Sequence, residues 1–283
     1  MAVVAVVFDF DDTLVPDSTS ALLKSAGLDP DDFWSNRVIE LVNQGYDPPL
    51  AYLNLLLKEV GPGKPLGSLT NEALHAFGES LDENWFPGLP GLFQDLRALA
   101  ADYVDISVDF YIISGGLQAI IEGSRYVREN FRGVYGCQLG DDPSSGIVAN
   151  IKRCVTFTEK TRFLFEINKG IPAKAAATQP HLVNRMVPDE NRPIPFRNMI
   201  YVGDGLTDIP CFSLIEKGGG TAFGVFQSGA ESAKQAFQRF LETKRVRSMH
   251  HPDFTPDAEL GSLLRAAVST ACSNIMIRAA GAI

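Results

Sequence analysis

The chain has 283 residues, of which 45% are hydrophobic and 21% are charged. This composition is typical of a folded globular protein and excludes a disordered or fibrous one. The length fits two domains or one α/β unit with an inserted lobe. The formal net charge is −9 at pH 7, so the chain lacks the basic field that attracts nucleic acid or an anionic membrane. We therefore expect neither as a partner.

The cysteines and the N-terminal segment predict a cytoplasmic protein. The four cysteines are far apart in the sequence, which is neither a zinc-binding spacing nor a dense disulfide framework. No Lys or Arg precedes the apolar run from Ala2 to Phe8, so we interpret it as a buried strand and not as a signal peptide. No run reaches the roughly 18 consecutive apolar residues of a membrane-spanning helix.

The first part of the chain predicts a strand followed by a helical lobe. Ala2 to Phe10 is short and rich in Val, which is typical of a parallel strand buried on both faces. From Ser18 to about Trp85 the pattern becomes helical, with helices opened by Pro30, by Pro48-Pro49 and by Thr70. We expect an all-helical lobe of these residues.

Strands and helices alternate after Pro87-Gly88, which favours an α/β core. We expect a connection with a short element hidden in Ala173 to Thr178, because a 27-residue loop is unusual in a compact domain. The other expected elements, in order, are a helix from about Pro90 to Ala101, a strand from Phe110 to Ile113, a helix opened by Ser114-Gly115-Gly116, a hairpin with strands near Val134 to Leu139 and Ile147 to Thr156, a helix capped by Thr158, a strand from Met199 to Val202, a helix to about Lys217, a strand from Thr221 to Phe226, and two C-terminal helices.

Polar residues follow three of the predicted strands. Asp9 and Asp11 end the first strand, Ser114 ends the second, and Asp204 lies in the loop after the strand that begins at Met199. Open α/β sheets bind ligands at the carboxyl ends of their strands. Carboxylates suit a hard cation such as Mg²⁺, and a hydroxyl beside glycine N–H groups suits an anion.

The loop from Gly203 to Asp208 also resembles the glycine-rich fingerprint of dinucleotide-binding proteins. Asp204 and Asp208 argue against that interpretation, because acids facing a pyrophosphate would repel it. A cation site is the better interpretation of this loop.

Four motifs in order resemble those of the haloacid dehalogenase (HAD) superfamily, most closely the branch that contains phosphoserine phosphatase. They are FDFDDTL at the first strand, FYIISGG at the second, Lys160 in TEKTR, and YVGDGLTDIP at the third. The resemblance covers roughly residues 2–14 and 87–226. It implies a Rossmann-like α/β core with a parallel sheet and an inserted helical cap.

The resemblance also implies a Mg²⁺-dependent phosphatase that acts through an aspartyl phosphate. Asp9 would attack phosphorus, and Asp11 would protonate the leaving alcohol and later deprotonate the attacking water. Asp9, the backbone carbonyl of Asp11 and Asp204 would hold Mg²⁺. The substrate would be a small phosphate ester.

Further residues would hold the phosphoryl group. Ser114, Gly115 and Lys160 would bind its oxygens, and Thr13 would support this seat from the first loop. Asp208 would orient Lys160. The neighbouring Lys152 and Lys169 are weaker candidates, because each stands where a solvated lysine is expected.

The resemblance also divides the chain. Residues 1–14 and 87–283 would form the catalytic core, with a small hairpin insertion near 134–156, and residues 15–86 would form a cap that selects substrates. Four cap residues are candidates for substrate contact: Trp34, Arg37, Tyr46 and Lys58.

Two other functions remain open from the sequence. A phosphotransferase or phosphomutase would pass the phosphoryl group to a second hydroxyl instead of water. A sensor would bind phosphate or metal without catalysis, although the paired Asp9 and Asp11 argue against it, because binding alone needs no nucleophile and acid. The sequence names neither the substrate nor the oligomeric state.

Overall fold

A computed structural model describes residues 1–227 and 246–281. They form a seven-stranded sheet of order β4-β3-β2-β1-β5-β6-β7, in which β3 and β4 are antiparallel and all other neighbours are parallel. The strands are β1 Ala2–Phe8, β2 Ile106–Leu117, β3 Phe131–Asp141, β4 Val148–Arg153, β5 Met199–Gly203, β6 Thr221–Val225 and β7 Ser248–His250. The α/β architecture predicted from the sequence is confirmed.

The helices divide into those before and after residue 90. The first group is α1 Ser18–Ser25, α2 Pro30–Asp32, a π-helical turn Phe33–Val38, α3 Ile39–Asn43, α4 Pro48–Lys58, α5 Asn71–Ser80 and the 3₁₀ turn Leu81–Asn84. The second is α6 Gly91–Ala101, α7 Gln118–Gly123, α8 Arg125–Asn130, α9 Phe157–Asn168, α10 Ala173–Thr178, α11 Ile209–Lys217 and α12 Glu259–Ala280, with 3₁₀ turns at Pro180–Asn184, Asp189–Asn191, Phe196–Asn198 and Leu206–Asp208.

Strand β1 lies at the centre of the sheet and is covered on both faces. Val4 and Val6 pack in one apolar cluster with α6 and α12, whereas Ala5 and Val7 pack in the other with α9 and α11. Successive side chains of a strand point to opposite faces, so an uninterrupted apolar strand fits a sheet buried on both sides. This arrangement explains why β1 has no polar residue before Asp9.

The second strand is longer than the sequence predicts. Ser114, Gly115 and Gly116 were expected to open a helix, but β2 continues to Leu117 and the helix begins at Gln118. Leu117 pairs with Cys137 of β3 after a shift in register, and the Ser114 hydroxyl accepts a hydrogen bond from the Gly116 N–H at 3.0 Å. Pairing with β3 therefore keeps these residues extended.

The elements after β2 mostly follow the sequence prediction. The hairpin exists as β3 and β4, and the short element at Ala173–Thr178 is helix α10. Helix α9 begins two residues earlier than expected, at Phe157, with Thr156 and not Thr158 as its N-cap residue. One of the two C-terminal helices is α12, and the prediction for the other falls on residues 228–245, outside the described residues.

The helical insertion, residues 18–84, packs against the sheet and its helices. Its apolar residues share one cluster with β2 residues such as Ile113. Helices α5 and α7 approach so closely that a Cβ on Gly78 would lie 1.8 Å from the carbonyl oxygen of Ile120. The insertion thus covers the carboxyl edge of the sheet.

Helix α12 is the one helix of the described residues that is long and apolar enough to cross a membrane, judged by length and composition alone. Core helices of soluble proteins pass the same test. Leu264 and Val268 are fully buried and pack in the cluster that α12 shares with β1 and α6. One face of α12 therefore packs against the core, while Met276 and Ile277 near its end are exposed.

Candidate active site

The sheet order brings three strand ends together. β1 lies between β2 and β5, and all three run parallel. Their carboxyl ends therefore meet at one edge of the sheet. Asp9 and Asp204 follow the ends of β1 and β5, and Ser114 lies in the last residues of β2. A ligand crevice is expected at this edge of an α/β sheet.

Lys160 connects two carboxylates below this edge. Its Nζ lies 2.8 Å from Asp9 Oδ2 and 2.8 Å from Asp208 Oδ1, and its side chain is 0% exposed. Burial alone lowers the pKa of Lys160, but the charges of Asp208 and Asp9 reverse that effect and raise it. Lys160 is therefore a fixed cation beside Asp9. Lys169, a weaker candidate from the sequence, instead donates to the carbonyl of Arg185 at 2.9 Å.

Asp208 is held by donors on both of its oxygens. Oδ1 also accepts from the Tyr201 hydroxyl at 2.6 Å, and Oδ2 accepts from the Gly205 N–H at 3.0 Å. Burial raises the pKa of Asp208 to about 6, while Lys160 opposes this shift. With both oxygens engaged, Asp208 fits the role of orienting Lys160.

Asp11 is held by the start of α1 and is approached by the end of β2. Its Oδ1 accepts from the Ser18 N–H at 2.8 Å. A Cβ on Gly116 would lie 2.3 Å from Asp11 Oδ2, so only glycine allows β2 to approach this carboxyl group. Burial, and then the nearby Asp17, raise the pKa of Asp11 well above its usual range. The site thus favours the protonated form of Asp11, as a proton donor requires.

Carboxylates cluster where the sequence predicts a metal. Asp9, Asp204 and Asp208 bring oxygen atoms to within 4.8 Å of one another. Burial, and then the charges of Asp9 and Asp208, raise the pKa of Asp204 well above its usual range. A divalent cation would relieve this repulsion, and oxygen donors are those that Mg²⁺ prefers. The residues present therefore fit Mg²⁺.

The predicted phosphate seat lies between these acids. Ser114 is buried, and Gly115 and Gly116 line the same cavity as Asp9 and Asp204. Thr13 is fully buried, and its hydroxyl has no hydrogen-bond partner among the described residues. A buried hydroxyl without a partner is costly unless a ligand satisfies it. The Thr13 hydroxyl, in the loop after β1, can therefore still form a hydrogen bond.

Two tyrosines support the site but were missed in the sequence. Tyr201 precedes the Asp204 loop in β5, and its inward position in that strand was the available signal. Tyr52 of α4 donates a hydrogen bond to the Gly115 carbonyl at 2.7 Å, which the thiol of Cys137 also contacts at 3.2 Å. No sequence signal could have found Tyr52, because 63 positions separate it from Gly115.

A cavity of about 160 Å³ opens above the acids, between the sheet edge and the helical insertion. Of the four predicted contact residues in the insertion, Trp34 lines this cavity. Arg37 instead pairs with Glu59, and Tyr46 and Lys58 are exposed. Asp12 and Asp17, which the sequence analysis did not single out, also line it.

Comparisons place the chain among known proteins. It is 30% identical over 286 residues to an uncharacterised protein of Borreliella burgdorferi, covering 91% of this chain and 94% of that protein, so the two belong to one family. No family model matches the chain.

Two solved structures are similar in fold. One is a HAD family hydrolase from Salmonella enterica serovar Typhi, with a TM-score of 0.52, 16% identity and coverage of 87% of this chain and 66% of that one. The other is a probable phosphoserine phosphatase from Vibrio cholerae, with a TM-score of 0.55, 14% identity and coverage of 96% and 66%. The chain spans about two thirds of the length of each.

Proposed function

We propose that the chain, which shares its fold with a HAD family hydrolase and carries motifs that resemble those of that superfamily, is a Mg²⁺-dependent phosphatase that hydrolyses a small phosphate monoester through a phosphorylated Asp9. The observation that supports this most strongly is the buried Asp9–Lys160–Asp208 network beside Asp11, with N···O distances of 2.8 Å. The nucleophile Asp9 and a carboxyl group with a raised pKa, Asp11, line one cavity, and the buried cation Lys160 contacts Asp9.

The first step transfers the phosphoryl group to the enzyme. A carboxylate oxygen of Asp9 attacks phosphorus, the bond from phosphorus to the ester oxygen breaks, and Asp11 gives its proton to the departing alkoxide. The burial that raises the pKa of Asp11 favours the protonated form that this step needs. The alcohol leaves, and Asp11 becomes a carboxylate.

The second step regenerates the enzyme. Asp11 accepts a proton from water as the water oxygen attacks phosphorus, and the bond from phosphorus to Asp9 breaks. Inorganic phosphate leaves, and both acids return to their starting forms. One residue thus serves as acid and then as base.

The remaining residues bind and orient the phosphoryl group. Ser114, the N–H groups near Gly115, and Lys160 would donate to its oxygens. The Thr13 hydroxyl, which has no partner among the described residues, would be a further donor. Asp208 would keep Lys160 aimed at the same oxygens as the bond to Asp9 forms. These contacts strengthen as negative charge builds up on the phosphoryl oxygens.

Asp9 and Asp204, with the Asp11 backbone carbonyl, would hold Mg²⁺. When bound, Mg²⁺ would keep Asp9 ionised and offset charge on the phosphoryl oxygens. The charges of Asp9 and Asp208 repel that of Asp204 and contribute to its raised pKa, which supports a cation at this position.

We further propose that residues 15–86 act as the cap, and that residues 1–14 and 87–283 form the core, with the hairpin near 134–156 as a small second insertion. The cavity between the insertion and the sheet edge supports this division. A cytoplasmic location stays a prediction from the sequence.

Asp9→Asn and Asp11→Asn separate the two acids. Asp9→Asn removes the nucleophile, so no phosphoenzyme should form with any ester. Asp11→Asn should lose roughly 10²- to 10⁴-fold in rate with an alkyl ester, yet still transfer the phosphoryl group of 4-nitrophenyl phosphate, whose leaving group needs no proton.

In Asp11→Asn the phosphoenzyme should accumulate, because the attacking water has lost its base. Mass spectrometry after an acid quench would detect the added phosphoryl group. A phosphorylated Asp9→Asn protein would contradict the assignment, as would inactivity of wild type with every ester in the presence of Mg²⁺.

A further inference from the structure

The side of the cavity that faces the helical insertion is built from a few residues. Asp17 and Thr19 come from the start of α1, Trp34 from the π-helical turn, and Tyr52 from α4. At about 160 Å³, the cavity is smaller than the roughly 300 to 1,000 Å³ of typical ligand pockets. It therefore suits a substrate with a short leaving group.

The leaving group would meet this side of the cavity, the wall formed by Asp17, Thr19, Trp34 and Tyr52. Asp11, which protonates the ester oxygen in the proposed reaction, accepts from the backbone N–H of Ser18 at 2.8 Å. Asp17 immediately precedes Ser18 and lines the same cavity. The part of the substrate beyond the ester oxygen is thus adjacent to the Asp17 carboxylate.

The cavity has negatively charged residues beside this wall and within it, without a lysine or arginine to compensate them. Asp12 and Asp17 both line the cavity, and no Lys or Arg is among the described residues that do so. The insertion has four basic residues that all lie elsewhere. Arg37 pairs with Glu59, and the exposed ones are Lys24, Lys58 and Lys64. A carboxylate on the leaving group would therefore meet like charge.

Two aromatic residues, Trp34 and Tyr52, line the cavity on this side. The ring centroids of Trp34 and Tyr52 lie 5.5 Å apart at an interplanar angle of 53°. Trp34 Nε1 donates to the Ser20 hydroxyl at 2.8 Å, and the Tyr52 hydroxyl donates to the Gly115 carbonyl at 2.7 Å. Because their polar atoms already have protein partners, these residues can offer a ligand only ring surface, mainly that of the half-buried Trp34, since Tyr52 is buried.

From these contacts we propose that the leaving group carries an ammonium group, so that the substrate is the phosphate monoester of a small amino or quaternary-ammonium alcohol. Cations bind over the faces of Trp and Tyr, and Asp17 supplies the opposite charge. This inference rests on the proposed function and adds the substrate class to it. It also predicts weak hydrolysis of esters whose leaving group carries a carboxylate.

The test compares phosphocholine with 3,3-dimethylbutyl phosphate, which has the same shape but a carbon in place of the charged nitrogen. Wild type should show a kcat/KM at least about tenfold higher for phosphocholine, within the range of a cation bound by aromatic rings and a carboxylate. Phosphoethanolamine should be compared with phosphoglycolate in the same way, and the ammonium ester should be favoured.

Variants assign this preference to the wall. Asp17→Asn retains an N-cap residue for α1 but removes the charge, so the ratio between the two isosteres should approach one. Trp34→Leu should lower it as well. Asp29→Asn is the matched control, since Asp29 caps α2 through the Asp31 N–H at 3.0 Å and is exposed away from the cavity.

Hydrolysis of 4-nitrophenyl phosphate separates the two proposals. If it is hydrolysed but the neutral isostere is used as well as phosphocholine, the ammonium inference is wrong and the phosphatase stands. The inference is also wrong if the charge preference survives Asp17→Asn and Trp34→Leu. If no ester is hydrolysed, the proposed function itself fails.

Discussion

Asp208 illustrates how one buried side chain is held by its neighbours. It accepts hydrogen bonds from Lys160, Tyr201 and the Gly205 N–H. Each donor stabilises the carboxylate against the burial that raises its pKa to about 6. The ionisation of Asp208 therefore depends on Tyr201, a residue that touches neither the cavity nor the proposed substrate.

Tyr201→Phe should shift the pH dependence of the enzyme. Loss of a hydrogen bond to a charged group costs about 1.5 kcal/mol, or about one pKa unit, so the pKa of Asp208 should rise. The acid limb of kcat/KM should then move up by about one pH unit, while activity near pH 8 changes less. The measurement is a pH profile with 4-nitrophenyl phosphate.

Tyr103→Phe is the matched control for that profile. The Tyr103 hydroxyl contacts Ser269 of helix α12 at 3.0 Å, and neither residue lines the cavity. Its acid limb should coincide with that of wild type. A Tyr201→Phe profile that is merely lowered at every pH would show a structural role and contradict the coupling to Asp208.

At the level of the elements, the sequence predicts most of the core. Buried strands β1 and β5 could be recognised from apolar runs that end in acids, and parallel order then brings Asp9 and Asp204 together. The end of β2 could not, because glycines at 115 and 116 are equally suited to a helix start and to an irregular strand. Pairing of Leu117 with Cys137 decides between them.

The position of the insertion could not be predicted, since its contacts join residues distant in sequence. Periodicity predicts that α4 and α5 are helices but not which core element each one meets. Trp34 was a candidate for its residue type, whereas Asp17 and Tyr52 become apparent only in the cavity. The substrate-facing half of the site therefore needs the tertiary structure.

The contact of α4 with β2 predicts a role for Tyr52 beyond its ring. Tyr52→Phe keeps the aromatic surface but removes the hydrogen bond to the Gly115 carbonyl. With one hydrogen bond worth about 1 kcal/mol, we expect about a fivefold loss in kcat/KM for 4-nitrophenyl phosphate and weaker inhibition by inorganic phosphate. Tyr46→Phe, at an exposed position of the insertion, should match wild type. Equal kinetics for both variants would contradict this role.

Alanine substitutions at two glycines should change stability in opposite directions, one at the contact of α5 with α7 and one at an open position of α6. Gly78→Ala places a Cβ 1.8 Å from the Ile120 carbonyl oxygen, so the helices must separate, at a cost of about 1 to 3 kcal/mol. Gly91→Ala, in α6, has no atom within 4 Å of its Cβ and should stabilise by up to about 1 kcal/mol. Thermal unfolding of both variants checks the pair, and a Gly78→Ala protein as stable as wild type would refute the close contact.

Across the whole molecule, the buried acids link stability to pH. Burial, with the charges of Asp17 and Asp9, raises the pKa of Asp12 from 3.8 to about 6. The folded state therefore holds this proton more tightly than the unfolded state does. The contribution of Asp12 to stability is fully present below about pH 3.8 and is lost as the pH rises through about 6. Asp12→Asn should therefore gain stability relative to wild type between pH 5 and pH 7.5 in EDTA. A difference in free energy of unfolding that does not change with pH would contradict this.

The acids at the sheet edge also predict that Mg²⁺ stabilises the whole fold. Asp9, Asp204 and Asp208 lie within 4.8 Å of one another, and a cation that binds only the folded state adds about 2.7 kcal/mol at one hundred times its Kd. Wild type should thus unfold at a temperature several degrees higher in Mg²⁺ than in EDTA.

Asp204→Asn should lose this response. In EDTA it should be more stable than wild type, because a buried carboxylate repelled by its neighbours has become neutral. Asp29→Asn, at an exposed helix cap, should keep the full response to Mg²⁺. A wild-type melting temperature that ignores Mg²⁺, or an Asp204→Asn protein that responds as wild type does, would remove Asp204 from the metal site.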